Sequence, residues 1–219
     1  MEFESFSDNS VDGHVRGFLH RPEKAVRDAL VLTHGAGGNS RGALLIALAE
    51  AFSNSGFAVL RCDLPFRQAR SFGPPRPAEA ARDRAGLKNA VAAMRKLAPG
   101  RAFLGGQSYG GRQASMLVAE ELGVADGLLL LSYPLHAPGK PDQLRTQHLP
   151  GIKIPALFVH GTRDPFGSIE EIEHAIKLIP GKTKLMAIEG VGHDLGFKGK
   201  ARPSDLPGMV LAEFEKLVG

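Results

Sequence analysis

Cysteine is almost absent from this sequence: Cys62 is the single one in 219 residues. A lone thiol excludes an internal disulfide framework and fits a reducing compartment. Long apolar runs are missing as well, and no stretch approaches the roughly 18 residues of a membrane span. The opening MEFESFSDNS is acidic and polar where a secretory leader would be basic and then apolar. A cytoplasmic protein with no membrane partner is therefore expected. Clustered positive charge is also lacking: the formal net charge is +4, but lysines and arginines are scattered along the chain, so nucleic acid is not expected as a partner. The eight histidines are dispersed, with no His/Cys/Asp group at ligand spacing, which leaves metal binding without support. No glycine loop matches G-x-x-x-x-G-K-S/T or G-x-G-x-x-G, so phosphate or dinucleotide cradling is unsupported and no cofactor is expected.

What remains is an ordinary globular composition, 43% hydrophobic and 23% charged, in a chain of the size expected for one domain over residues 1–219. Short, almost wholly apolar runs recur: 29–33, 57–60, 102–104, 127–131 and 156–159. Runs of this kind fit strands covered on both faces, as in a parallel sheet. Between them, Leu44, Leu45, Leu48 and Phe52 fall at helical spacing, as do Leu87, Ala90, Val91, Met94 and Leu97. Residues 112–121 and 205–218 also read as helices. The alternation predicts a doubly wound, mostly parallel α/β sheet with right-handed crossovers and helices on both faces. The Pro/Arg-rich stretch 67–77 is too short for an interdomain linker and is read as a loop.

Ligands in such sheets bind beyond the carboxyl ends of the strands, and four of those ends carry unusual residues. Gly106-Gln107-Ser108-Tyr109-Gly110 matches G-x-S-x-G between a predicted strand and a predicted helix, the context that raises a serine on a strained turn. A serine hydroxyl needs a base oriented by an acid, and the order expected in this fold is serine, acid, histidine. Asp164 follows the run Leu157-Phe158-Val159, and His193 follows the strand-like Lys184–Ile188. Ser108 is thus the candidate nucleophile, His193 the base and Asp164 its orienting acid. The fourth strand end, Thr33-His34-Gly35-Ala36-Gly37-Gly38, supplies a second backbone amide for an oxyanion, beside that of Tyr109. Counting does not decide between Ala36 and Gly37.

Other residues have simpler readings. His34 bonds nearby backbone, His160 braces the turn before Asp164, and Asp194 acts as a cap or solvated group. Cys62 is a small buried residue. Asp63, also at a strand end, is the strongest competing acid.

The motifs at 33–37 and 106–111, together with SYPLHAPGKP at 132–141 and LFVHGTRDPFG at 157–167, resemble the α/β-hydrolase superfamily over nearly the whole chain. More narrowly the chain resembles the KANL3/Tex30-like branch, near dienelactone hydrolase-like serine esterases. The resemblance implies an α/β-hydrolase fold with a nucleophile elbow and the triad Ser108, Asp164 and His193. Only about twenty residues separate Ser132 from Pro155, so a cap domain is expected to be minimal or absent. Gly37, Tyr133 and His136 are candidate substrate contacts; the three arginines of 67–77 read first as a solvated basic loop, with an anion-attracting wall as the alternative. The expected function is hydrolysis of a small-molecule ester or thioester through an acyl-enzyme. The alternative is a catalytically silent module for protein contacts, with no partner named by the sequence.

Overall fold

The computed structural model describes residues 3–9, 14–23, 25–198 and 204–219. Its centre is an eight-stranded sheet built from β1 (Phe3–Asp8), β2 (Val15–His20), β3 (Asp28–Thr33), β4 (Phe57–Cys62), β5 (Ala102–Gln107), β6 (Leu128–Leu131), β7 (Ala156–Gly161) and β8 (Thr183–Ile188). The strand order is β1-β2-β4-β3-β5-β6-β7-β8. β2 runs antiparallel to both its neighbours, and every pair from β4 through β8 is parallel. The expected mostly parallel α/β sheet is therefore the observed one. None of the described helices is long and apolar enough to cross a membrane.

Among the described residues six α-helices cover the sheet: α1 (Ala43–Asn54), α2 (Pro65–Ala69), α3 (Ala80–Arg95), α4 (Tyr109–Glu120), α5 (Ile169–Ile176) and α6 (Leu206–Val218). Period-two alternation sorts the strand residues between the two faces. Ala29 and Val31 of β3 join Leu87 and Met94 of α3, Leu117 of α4 and Ile172 of α5. Leu30 and Leu32 turn to the opposite face, against Leu48 and Phe52 of α1 and Phe214 of α6. There the rings of Phe103 and Phe214 meet edge to face at 5.1 Å, and Phe52 meets Phe57 at 5.3 Å. Edge-to-face pairs add about 0.5–1.5 kcal/mol each beyond the area they bury. The continuous apolar runs of the sequence are this two-sided burial.

Three strands lie outside those runs: β8, read as strand-like over Lys184–Ile188, and the first two. β1 (FESFSD) is largely exposed and polar, and β2 (VRGFLH) alternates, so neither carries the signature of a strand covered on both faces. Two helices begin earlier than the apolar periodicity indicated. α4 starts at Tyr109, directly after Ser108, and α3 at Ala80. α5, not foreseen, is announced by Ser168, whose hydroxyl accepts from the Glu171 amide while the Glu171 carboxylate accepts from the Ser168 amide.

At the β2–β4 pair, Arg61 is buried, and among the described residues it forms no ion pair with a carboxylate. Its Nε donates to His20 Nε2 at 2.8 Å, and Nη1 donates to the Ser40 carbonyl. His20 must be neutral to accept, and burial together with the Arg61 charge pushes it down from 6.5 to about 4. A histidine depressed in this way takes up a proton on unfolding. Its stabilising contribution is full above pH 6.5 and is lost as the pH falls toward 4. Urea midpoints measured from pH 7 to 4.5 are expected to fall, with a slope of up to ~1.4 kcal/mol per pH unit from this group. His20→Gln keeps an acceptor for Arg61 but does not titrate, so it should flatten the slope; an unchanged slope contradicts the assignment.

Candidate active site

The site grows from the turn between β5 and α4. Ser108 has φ 51° and ψ −116°, a conformation that costs a side-chain-bearing residue of the order of 1–3 kcal/mol. Its amide donates to the Leu131 carbonyl at 2.8 Å, tying the turn to β6. The flanking glycines are required by contact. A Cβ on Gly106 would lie 2.8 Å from Gly111 N and 2.9 Å from Thr33 Cγ2, and one on Gly110 would lie 2.5 Å from the His34 carbonyl oxygen. Strand, turn and helix approach this closely only because nothing stands between them.

Two further loops meet the hydroxyl. Beyond β7, a tight turn joins the Asp164 amide to the Gly161 carbonyl, and Asp164 Oδ1 accepts from Phe166 N–H at 2.9 Å. Beyond β8, the loop carrying His193 is laced to that turn: Arg163 N–H donates to Val191 O at 2.9 Å and Thr162 N–H to Ile188 O at 3.0 Å. Consequently His193 Nδ1 lies 2.7 Å from Asp164 Oδ2, and His193 Nε2 lies 2.8 Å from Ser108 Oγ. The Asp164 side chain is fully buried, while that of His193 is 26% exposed. An ionised carboxylate only accepts, so Nδ1 carries the proton and Nε2 is left as the acceptor facing the serine hydroxyl. Two more contacts hold the residue, one on its ring and one on its backbone carbonyl. The Phe166 ring lies 4.2 Å from it, tilted by 30°, and Gln107 Nε2 donates to the His193 carbonyl at 3.3 Å. Such an arrangement can move a proton off a hydroxyl and return it to a leaving group.

The loop after β3 brings Ala36 and Gly37 to the same cleft, a space of about 970 Å³ that Ser108, Tyr109 and His193 also line. The Tyr109 amide sits at the first position of α4, where helix amides lack partners and favour negative charge. Its phenol donates to Asp83 Oδ2 at 2.7 Å, and Asp83 Oδ1 accepts from Phe66 N–H at 3.0 Å. Burial raises both the Asp83 carboxyl and the Tyr109 phenol. The β3 loop is pinned by Arg67: Nη2 donates to the carbonyls of Ala36 and Gly73 at 3.0 Å, and Nε donates to that of Gly38 at 2.8 Å.

Two expected substrate contacts are not brought to the cleft. Tyr133 is 1% exposed, its ring packed on Phe158 at 5.6 Å and its hydroxyl directed at the Arg145 carbonyl and His148. His136 is buried, with Nδ1 donating to the Ala137 carbonyl and Nε2 3.3 Å from Glu171. Pro134, between them, lines the wall instead. The basic loop is corrected in the same way. Arg67 is buried and Arg70 pairs with Glu79 at 2.7 Å, so of its three arginines Arg76 alone lines the cleft.

The remaining residues take structural places. His34 Nδ1 donates to the Gly35 carbonyl and Nε2 accepts from Leu64 N–H. Asp63 Oδ1 accepts from Ser40 N–H at 2.7 Å and lies 3.6 Å from His34, so it belongs to that histidine's surroundings and not to those of His193. His160 Nε2 donates to the Gly167 carbonyl at 2.9 Å, and Asp194 accepts from the amides of Gly196 and Lys198. Burial pushes the Cys62 thiol up to about 12, which removes it as a nucleophile.

Between β6 and β7 the chain forms a single short 3-10 turn, Leu149–Gly151, and no cap domain. The alpha/beta hydrolase domain family matches residues 26–206, and the chain belongs to it. Several solved structures share its fold at low identity. Est1E from Butyrivibrio proteoclasticus superposes with a TM-score of 0.75 at 16% identity, over 98% of each chain. A dienelactone hydrolase from Anabaena variabilis gives 0.70 at 20% identity, covering 99% of this chain and 95% of its own. An alpha/beta serine hydrolase without lid from Xanthomonas campestris gives 0.70 at 16% identity, over 98% and 94%.

Proposed function

We propose that this protein is a serine hydrolase that cleaves a small-molecule carboxylic ester or thioester through an acyl-enzyme, with Ser108, His193 and Asp164 as its triad. The observation that carries the reading is the continuous run of short contacts, 2.7 Å from Asp164 to His193 and 2.8 Å from His193 to Ser108. His193 Nε2 takes the hydroxyl proton as Ser108 Oγ attacks the acyl carbon. The tetrahedral oxyanion is received by the amides of Tyr109 and of Ala36 or Gly37, and each such donor contributes about a hundred- to a thousandfold in turnover. Collapse expels the alcohol or thiol, which leaves with the proton from His193. Water then enters, gives a proton to His193 and attacks the acyl group. The second collapse releases the acid and returns the proton to Ser108. Asp164 stays ionised throughout and stabilises the imidazolium.

The finer placement in the KANL3/Tex30-like branch is proposed on the segments 33–37, 106–111, 132–141 and 157–167, and the single domain over residues 1–219 on the length of the chain. The strain at Ser108 favours catalysis over a silent binding module, because protein contacts give no reason to maintain it. A fluorophosphonate probe tests the proposal. Covalent labelling of the folded protein at Ser108, abolished in Ser108→Ala, is expected; a folded wild-type protein that takes no label overturns the catalytic reading and leaves the module.

A further inference from the structure

The cleft around Ser108 carries more positive charge than proton relay or oxyanion binding requires. Arg76, Arg112, Arg145 and Lys198 line it, and among the described residues the sole carboxylate in its lining is Asp194, already engaged by two backbone amides. Arg112 and Arg145 stand closest to unmet need. Arg112 lies four residues after Ser108, its amide donating to the Ser108 carbonyl at 2.9 Å, so its side chain rises from the helix face that begins at the serine. Among the described residues, Arg112 Nε is buried and has no hydrogen-bond partner. The adjacent Gln113 is fully buried; its Oε1 accepts from Arg84 Nη1 at 3.1 Å, which leaves its Nε2 as a second buried donor without a partner.

Arg145 approaches from the segment after β6. It is fixed by its amide on the Leu135 carbonyl at 2.8 Å and by Nη1 on the Pro134 carbonyl at 3.2 Å. No ion pair compensates either guanidinium among the described residues. The neighbouring groups do not help: Arg84 on α3 is already paired with Glu120 at 2.8 Å. His148 remains neutral at pH 7, pushed down to about 4 by burial and then by the charges of Arg112 and Arg84. Burial and the Arg112 charge also lower Arg145. Like charges brought together and buried donors left unpaired both cost free energy, and a bound anion relieves both at once.

Resting on the hydrolase reading above, we infer that Arg112 and Arg145, with the Gln113 amide, bind a carboxylate carried by the substrate close to its scissile carbonyl. Both residues that carry an unpartnered donor stand in the lining of the cleft, and a guanidinium favours a carboxylate as its partner. Arg112 follows Ser108 by about one helical turn, which suits a short acid such as the half-ester of a small dicarboxylic acid.

Matched esters test this on the wild-type protein. Monomethyl succinate is compared with methyl butanoate for an acyl-side carboxylate, and O-acetylglycolate with propyl acetate for an alcohol-side one. The anionic member of one pair is expected to have a kcat/KM about tenfold to a hundredfold higher, as charge-assisted hydrogen bonds of this kind supply. Arg112→Gln and Arg145→Gln should each remove most of that preference, whereas Lys177→Gln, an exposed change of the same charge, should keep it. Should both arginine variants misfold, the wild-type ratios still decide. Neutral esters hydrolysed as well as anionic ones, with Ser108 labelling normally, overturn this inference alone. Absence of both hydrolysis and labelling would instead remove the hydrolase reading beneath it. Inorganic phosphate competing more strongly than free succinate overturns the assignment to a carboxylate.

Discussion

Ser108→Ala is expected to reduce kcat on any accepted ester by about a millionfold, and His193→Ala by a similar factor. The double variant should lose no more than either single one. These side chains act as a unit: the 2.8 Å contact gives the imidazole a proton to take only while the hydroxyl is present, and the hydroxyl a base only while the imidazole is present. What survives comes from the oxyanion amides and from substrate positioning, neither of which either substitution touches. The measurement is steady-state hydrolysis by each single variant and by the pair, together with thermal unfolding to show that the fold persists. Ser108 contributes little to the core, so a cooperative transition near that of the wild type is expected. Losses that multiply in the double variant would show two independent contributions and exclude a shared proton relay.

Asp164→Asn comes next in size, at about ten-thousandfold in kcat, against less than about tenfold for Asp63→Asn. Both carboxylates follow a strand, so the sequence offers each as partner to the histidine. The coordinates separate them: Asp164 Oδ2 stands 2.7 Å from His193 Nδ1, while Asp63 faces His34 and the Ser40 amide. The asparagine amide has the same volume in a fully buried site, and its oxygen can still accept from Phe166 N–H. It can also donate to Nδ1, which allows the imidazole to carry its proton on Nε2, where it confronts the serine hydroxyl as a donor. The expected loss is therefore one of tautomer, with folding retained. Pre-steady-state acylation rates of the two variants provide the check, and the reverse ranking would assign the acid to Asp63.

The strand-end turns that carry Ser108, Asp164 and His193 were legible in the sequence because each is a local signal: glycines at fixed offsets from a serine, and polar residues at the ends of apolar runs. Register then aligns those ends along one edge, with Thr33 opposite Gly106, Gln107 opposite Leu131 and Gly161 opposite Ile188. The cleft walls were less legible. Tyr133 and His136 lie in an irregular segment with no period to say which way a side chain points, and the structure turns both inward. Arg112 was read as the start of a helix; only the true start at Tyr109 puts it a turn beyond the serine on the cleft side. Arg145 shows its position only once the segment after β6 has folded back over Pro134. β1 escaped because an exposed edge strand has no need of a continuous apolar run.

Arg67 has a mechanical consequence. A single planar guanidinium grips the carbonyls of Ala36 and Gly38 on one side and of Arg70 and Gly73 on the other. The rim of the cleft is thereby geared to the peptide units to which the proposed reaction assigns the negative oxygen. A guest too bulky for Pro74 and Pro75 would be rejected through misaligned amides, slowing its conversion even where it still lodges. Discrimination would then register in the chemical step more than in occupancy.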